Sequence, residues 1–162
     1  MNAQPITENR GRDLRSLRYV EHFLTWALRT SVACSPHCRM LQREFVHAFG
    51  PEPSAGVRAF HDWLIALSKG KRKLELGRPG LIELTRDEES LLALLTSAQM
   101  GEAVRFTAQA RWVMGSEPHD GLYDAARMLM TLLDQRGYRM VPKALPNVSA
   151  ECRGRPGELR AV

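Results

Sequence analysis

The sequence contains no apolar run of about 18 residues, the length a membrane-crossing helix needs, so no membrane partner is expected. It has only three cysteines, Cys34, Cys38 and Cys152. That number is too small, and odd, for a disulfide framework, and reduced thiols are expected. The N-terminal stretch MNAQPITENRGRDLR lacks the apolar centre of a secretory signal, which makes the cytoplasm the expected location. The motifs of the common enzyme classes are missing too: there is no G-x-S-x-G, no H-E-x-x-H, no phosphate loop and no dinucleotide fingerprint. No internal repeat is visible.

What is present suits one domain. The chain has 162 residues, of which 44% are hydrophobic, enough for a core of useful size. The net charge is +5. Much of it sits at the ends, where Arg10, Arg12, Arg15, Arg18, Lys143, Arg153, Arg155 and Arg160 outnumber the acids. The middle is close to neutral, with one basic cluster at Lys69, Lys71, Arg72 and Lys73. A dedicated nucleic-acid binder usually shows a larger basic face.

Apolar periodicity predicts a mainly α fold of about six helices with one small hairpin after the third. Residues 1–12 read as a disordered tail, 13–140 as a single helical domain and 141–162, with its prolines, as a flexible tail. The first helix is expected from Asp13 to Val32, and its broad apolar surface makes it central. Ser35 and Pro36 in CSPHC suit the start of a second helix reaching Phe49, where Gly50-Pro51 ends it. Ser54 can cap a third helix to Ser68, burying Val57, Phe60, Trp63, Leu64 and Leu67. KLEL (73–76) and LIEL (81–84) flank the turn GRPG, which predicts a β-hairpin over 73–84. Thr85 and Glu88 form a capping box for a fourth helix to Met100. Asp87, Glu88 and Glu89 suit the positive end of its dipole. Further helices are expected at 102–114, burying some combination of Val104, Phe106, Ala108, Trp112 and Val113, and at 121–136, capped by Asp120.

The motifs REFVHAFG and GRPGLIELTRDEESLLALLTSAQ carry a resemblance. Through them, segment 34–115 resembles a group of small uncharacterised alphaproteobacterial helical proteins, which implies a bacterial protein and brings no activity with it. The strand ending in Leu-Thr before a long helix also resembles the wing of MarR-type repressors. That resemblance implies a winged-helix DNA-binding regulator using residues 54–84, with 54–68 in the major groove. Arg58 and His61 would then face bases, and Lys69, Lys71, Arg72, Lys73 and Arg78 would meet phosphates. Against it, the would-be recognition helix SAGVRAFHDWLIALS is apolar and Asp62 repels phosphate.

Other constellations are thinner. Cys34, His37 and Cys38 offer three soft ligands for zinc or haem, but no second ligand pair follows to close a tetrahedral site. Cys34 and Cys38 can also be read as a reversible thiol pair. The five histidines, His22, His37, His47, His61 and His119, are scattered. His61 and Asp62 are neighbours on a helix, so their side chains diverge by about 100° and form no dyad. Three tryptophans and seven methionines supply anchors for an interface. Met114, Met128 and Met130 are the candidates for one. The expectation is a small non-enzymatic regulatory or protein-interaction protein that binds a protein partner or a second copy of itself and needs no cofactor. DNA binding is the alternative.

Overall fold

The computed structural model describes residues 12–34 and 38–142. It is mainly helical, with six α-helices in the expected order. These are α1 (Tyr19–Ala33), α2 (Arg39–Phe49), α3 (Ser54–Ser68), α4 (Arg86–Met100), α5 (Ala103–Met114) and α6 (Leu122–Gln135). None is long and apolar enough to cross a membrane. The proposed tails 1–12 and 141–162 lie outside the described residues, apart from Arg12, Val141 and Pro142. Arg12 itself belongs to the folded part, since its N–H donates to Glu89 at 3.1 Å.

Several helix starts depart from expectation. Asp13 caps a single 3-10 turn, Leu14–Ser16, by accepting the Arg15 N–H, so α1 begins later, at Tyr19. Its first turn is secured by Glu21, whose carboxylate accepts the Arg18 N–H at 3.2 Å. Ser35 and Pro36 lie outside the described residues, and α2 starts with Cys38 as its N-cap. Ser54 is already helical, behind Pro53, and Gly121 rather than Asp120 precedes α6. The capping box of α4 forms as read: the Thr85 hydroxyl accepts the Glu88 N–H at 3.1 Å, and the Glu88 carboxylate accepts the Thr85 N–H at 2.9 Å. That helix ends at Gly101, whose φ of +74° is a left-handed conformation that favours glycine.

The hairpin over 73–84 is corrected. Among the described residues there is no β-strand, only one antiparallel bridge between Asp13 and Glu83. LIEL pairs there with the chain entering α1: Leu14 N–H donates to Ile82, and Leu84 N–H to Arg12. In and just after KLEL, side chains take the backbone polar groups of Glu75 and Gly77. Asp87 accepts the Glu75 N–H at 2.7 Å, Glu88 accepts the Gly77 N–H at 2.9 Å, and the Thr85 hydroxyl donates to the Glu75 carbonyl at 2.6 Å. Buried backbone groups need partners but not any particular kind of partner. Local alternation therefore did not decide the pairing.

One core takes side chains from all six helices. α6 lies between α3 and α4, α5 packs on α4, and α1 bridges α2 and α4. Trp63, Phe106, Met114, Leu129, Met130 and Leu133 are fully buried. Phe23, Phe45 and Phe60 meet edge to face, with centroids 5.4 and 5.3 Å apart, an arrangement favoured by the ring quadrupoles. This aromatic row is the floor from which the first candidate site is built.

Candidate functional site

α1, α2 and α3 enclose an apolar pocket of about 140 Å³. Leu41 and Phe45 come from one inward stripe of α2, and Phe60 and Leu64 from α3 at helical spacing. Val57 stands at the mouth, 40% exposed. Ser31, Gln42 and His61 are the polar members of the lining. The Ser31 hydroxyl is already spent within its helix, donating to the Ala27 carbonyl at 2.7 Å. Among the described residues, His61 is the one titratable group in the lining. Val32 at the end of α1 and Met40 at the start of α2 are exposed.

A second constellation surrounds the start of α4. Arg29, in the middle of α1, is buried and meets Glu88 in a bidentate pair at 2.6 and 2.7 Å. The same guanidinium donates to the carbonyls of Leu81 and Glu83. Side-chain exposures of 2% and 1% make this a core ion pair. Burial pushes the Glu88 carboxyl up. The hydrogen bonds from Arg29, from the Thr85 and Gly77 amides, and the Arg29 charge outweigh burial and hold it below its ordinary value. A Cβ added at Gly77 would lie 2.6 Å from the guanidinium, so only glycine lets the backbone pass there.

Asp87 and Glu89 take separate partners. Asp87 accepts from Arg72 at 2.7 Å as well as from the Glu75 N–H, and Glu89 accepts the Arg12 N–H. The three acids, read as dipole charges, thus fasten three different segments to one helix end.

Arg72 also lies over the Trp112 ring, 4.3 Å from its centroid. Trp112, expected inside, is 54% exposed. It borders an open cleft of about 380 Å³ with Arg12, Arg86, Glu89, Ser90, Leu92 and Ala93. Val104, another candidate for the core, is a surface residue.

Arg58 and His61 are exposed on α3, while Lys69, Lys71, Lys73 and Arg78 are exposed on the connector beyond it. Arg72 is committed to Asp87 and Trp112. Of the proposed metal ligands, His37 lies outside the described residues, and among those described no group of three His, Cys, Asp or Glu side chains forms a metal cluster. Cys34 is exposed and Cys38 half-buried. Partial desolvation and the nearby Cys38 raise the Cys34 thiol, whereas the Leu41 and Met40 N–H groups at the start of α2 lower Cys38. The interface set is corrected: Met114 and Met130 are core residues, and only Met128, 57% exposed, faces outward. Arg29 was missed. Its stripe on α1 also carries Glu21, His22 and Thr25, so periodicity gives no sign that it is buried.

Comparisons with family models, with curated proteins and with solved structures return no match.

Proposed function

We propose that this chain is a small non-enzymatic protein-interaction module whose docking surface is the α1–α2–α3 pocket. The observation that carries the reading is a preformed apolar cavity with an aromatic floor, Phe45 and Phe60, and an exposed aliphatic at its mouth, Val57. Such a cavity accepts one or two apolar anchor side chains, the usual way a partner helix or peptide gains affinity. Among the described residues the lining holds a single imidazole and no second titratable group, which favours binding over bond-making.

The winged-helix alternative has less support. Its wing needs a paired hairpin over 73–84, and its groove-entering helix, α3, buries Ala59, Phe60, Trp63, Ala66 and Leu67 in the core.

The test is selection of peptides from a random library on the immobilised full chain. Selected peptides are expected to share apolar anchors, to compete with one another and to lose binding with Val57→Asp. A set of binders indifferent to Val57→Asp, or no binders at all, refutes the reading.

A further inference from the structure

The basic run lies against the end of α5 that carries the exposed tryptophan. The N–H groups of Lys71 and Arg72 both donate to the Met114 carbonyl at the end of α5, at 2.9 and 3.1 Å. That contact seats the run beside Trp112, two residues earlier on the same helix. Arg72 lies over the indole while Asp87 holds its guanidinium. The ring is therefore backed by a fixed cation and still half exposed. Arg86 borders the cleft that Trp112 lines. Among the described residues, Lys69, Lys71, Lys73 and Arg86 form no ion pair with a carboxylate. Glu117, three residues beyond Met114, is paired with Arg111. Glu75 is exposed in the same run, Asp87 is taken by Arg72, and Glu89 accepts the Arg12 N–H.

Four free cations spread over the connector and the start of α4 suit a polyanion better than a single anionic group. Flexible lysines neutralise phosphates without reading sequence. An exposed indole adds a platform on which a flat ring can stack, with the guanidinium behind it. Bases inside a duplex are already stacked on one another, so a lone surface tryptophan is of use to unpaired bases. We propose that this face binds single-stranded nucleic acid, with phosphates along Lys69, Lys71, Lys73 and Arg86 and a base stacked on Trp112. The proposal stands apart from the docking pocket, with which it shares no residue.

The test is fluorescence anisotropy of a labelled oligothymidylate of about 12 nucleotides with the full chain, across a salt series. Binding is expected at low salt and should weaken as salt rises. Trp112→Ala should weaken it by about 5- to 150-fold, the range for losing one stacked base, while Trp112→Phe should keep most of it. Replacing Lys69, Lys71 and Lys73 together by glutamine should flatten the log–log salt slope by about 2. Val57→Asp should leave this binding unchanged, which separates its failure from failure of the docking pocket. No binding at low salt overturns the proposal. So does binding that Trp112→Ala leaves intact, or that a duplex of equal length matches, since either is plain charge adsorption.

Discussion

Replacing Glu88 by alanine strands the Arg29 guanidinium inside the core. The wild-type pair is bidentate, 2.6 and 2.7 Å, and both side chains are all but excluded from water. Without the carboxylate, Arg29 keeps only the Leu81 and Glu83 carbonyls, and the Gly77 and Thr85 N–H groups lose their acceptor. Removing one partner of a buried ion pair costs about 3–5 kcal/mol, because the remaining charge stays desolvated. That is a large share of the roughly 5–15 kcal/mol that holds a domain folded. With a urea m-value of about 2 kcal/mol/M, the unfolding midpoint should fall by roughly 2 M. Urea titration followed by far-UV circular dichroism reads it directly. Arg29→Ala and the double variant complete a cycle in which the double should be less destabilised than the two singles added, by about 2–3 kcal/mol. A midpoint shift under about 0.5 M for Glu88→Ala, or strict additivity in the cycle, would refute the reasoning. The pair would then behave like an exposed one, worth about 1 kcal/mol or less.

The remaining predictions follow from the same contacts. The folded-state Glu88 carboxyl titrates below its ordinary value of 4.5. Its contribution should therefore be fully present above that pH and lost as pH falls through the lower folded value. Acid titration of wild type and Glu88→Gln should show the wild type losing more stability below that pH, and parallel curves would contradict it. Gly77→Ala pushes a methyl to within 2.6 Å of the guanidinium and should destabilise by about 1–3 kcal/mol in thermal melts, although the position is a connector. Met130→Ala should cost about 2–5 kcal/mol and Met128→Ala less than about 0.5 kcal/mol, which calorimetry can separate.

The helices were legible because their signals are local. Thr85 and Glu88 sit three apart and cap α4 whatever surrounds them, and the apolar stripe of α3 needs only its own spacing. The hairpin was misread because KLEL and LIEL flank a good turn, while the groups that satisfy their backbone come from Arg29, Asp87, Glu88 and the chain near Arg12. No window of sequence contains those partners together. Trp112 was misplaced for a related reason. Val104, Ala108 and Trp112 lie at i, i+4 and i+8 and mimic a buried stripe, yet α5 turns Phe106, Ala110, Val113 and Met114 toward α4 instead. The pocket was half legible. Val57, Phe60 and Leu64 were read as buried, but Val57 is 40% exposed, and periodicity cannot show that two inward faces leave a gap between them.

The start of α4 links the core to the proposed nucleic-acid face. Glu88 ties the connector to α1 through Arg29 and Gly77, and Asp87 ties it to Trp112 through Arg72. The two acids are adjacent on one rigid helix turn, so slack at one is felt at the other. Loss of the Arg29–Glu88 pair should therefore free the connector before it unfolds the helices, and Arg72 should leave the indole as the connector loosens. The order of events distinguishes this coupling from simple destabilisation. In Glu88→Gln under native conditions, amide exchange should accelerate at Glu75 and Gly77, whose N–H groups the two acids hold, while amides in α3 and α6 stay protected. Uniform acceleration across all helices would mean that the pair supports the whole core equally and that the connector has no separate hold on Trp112.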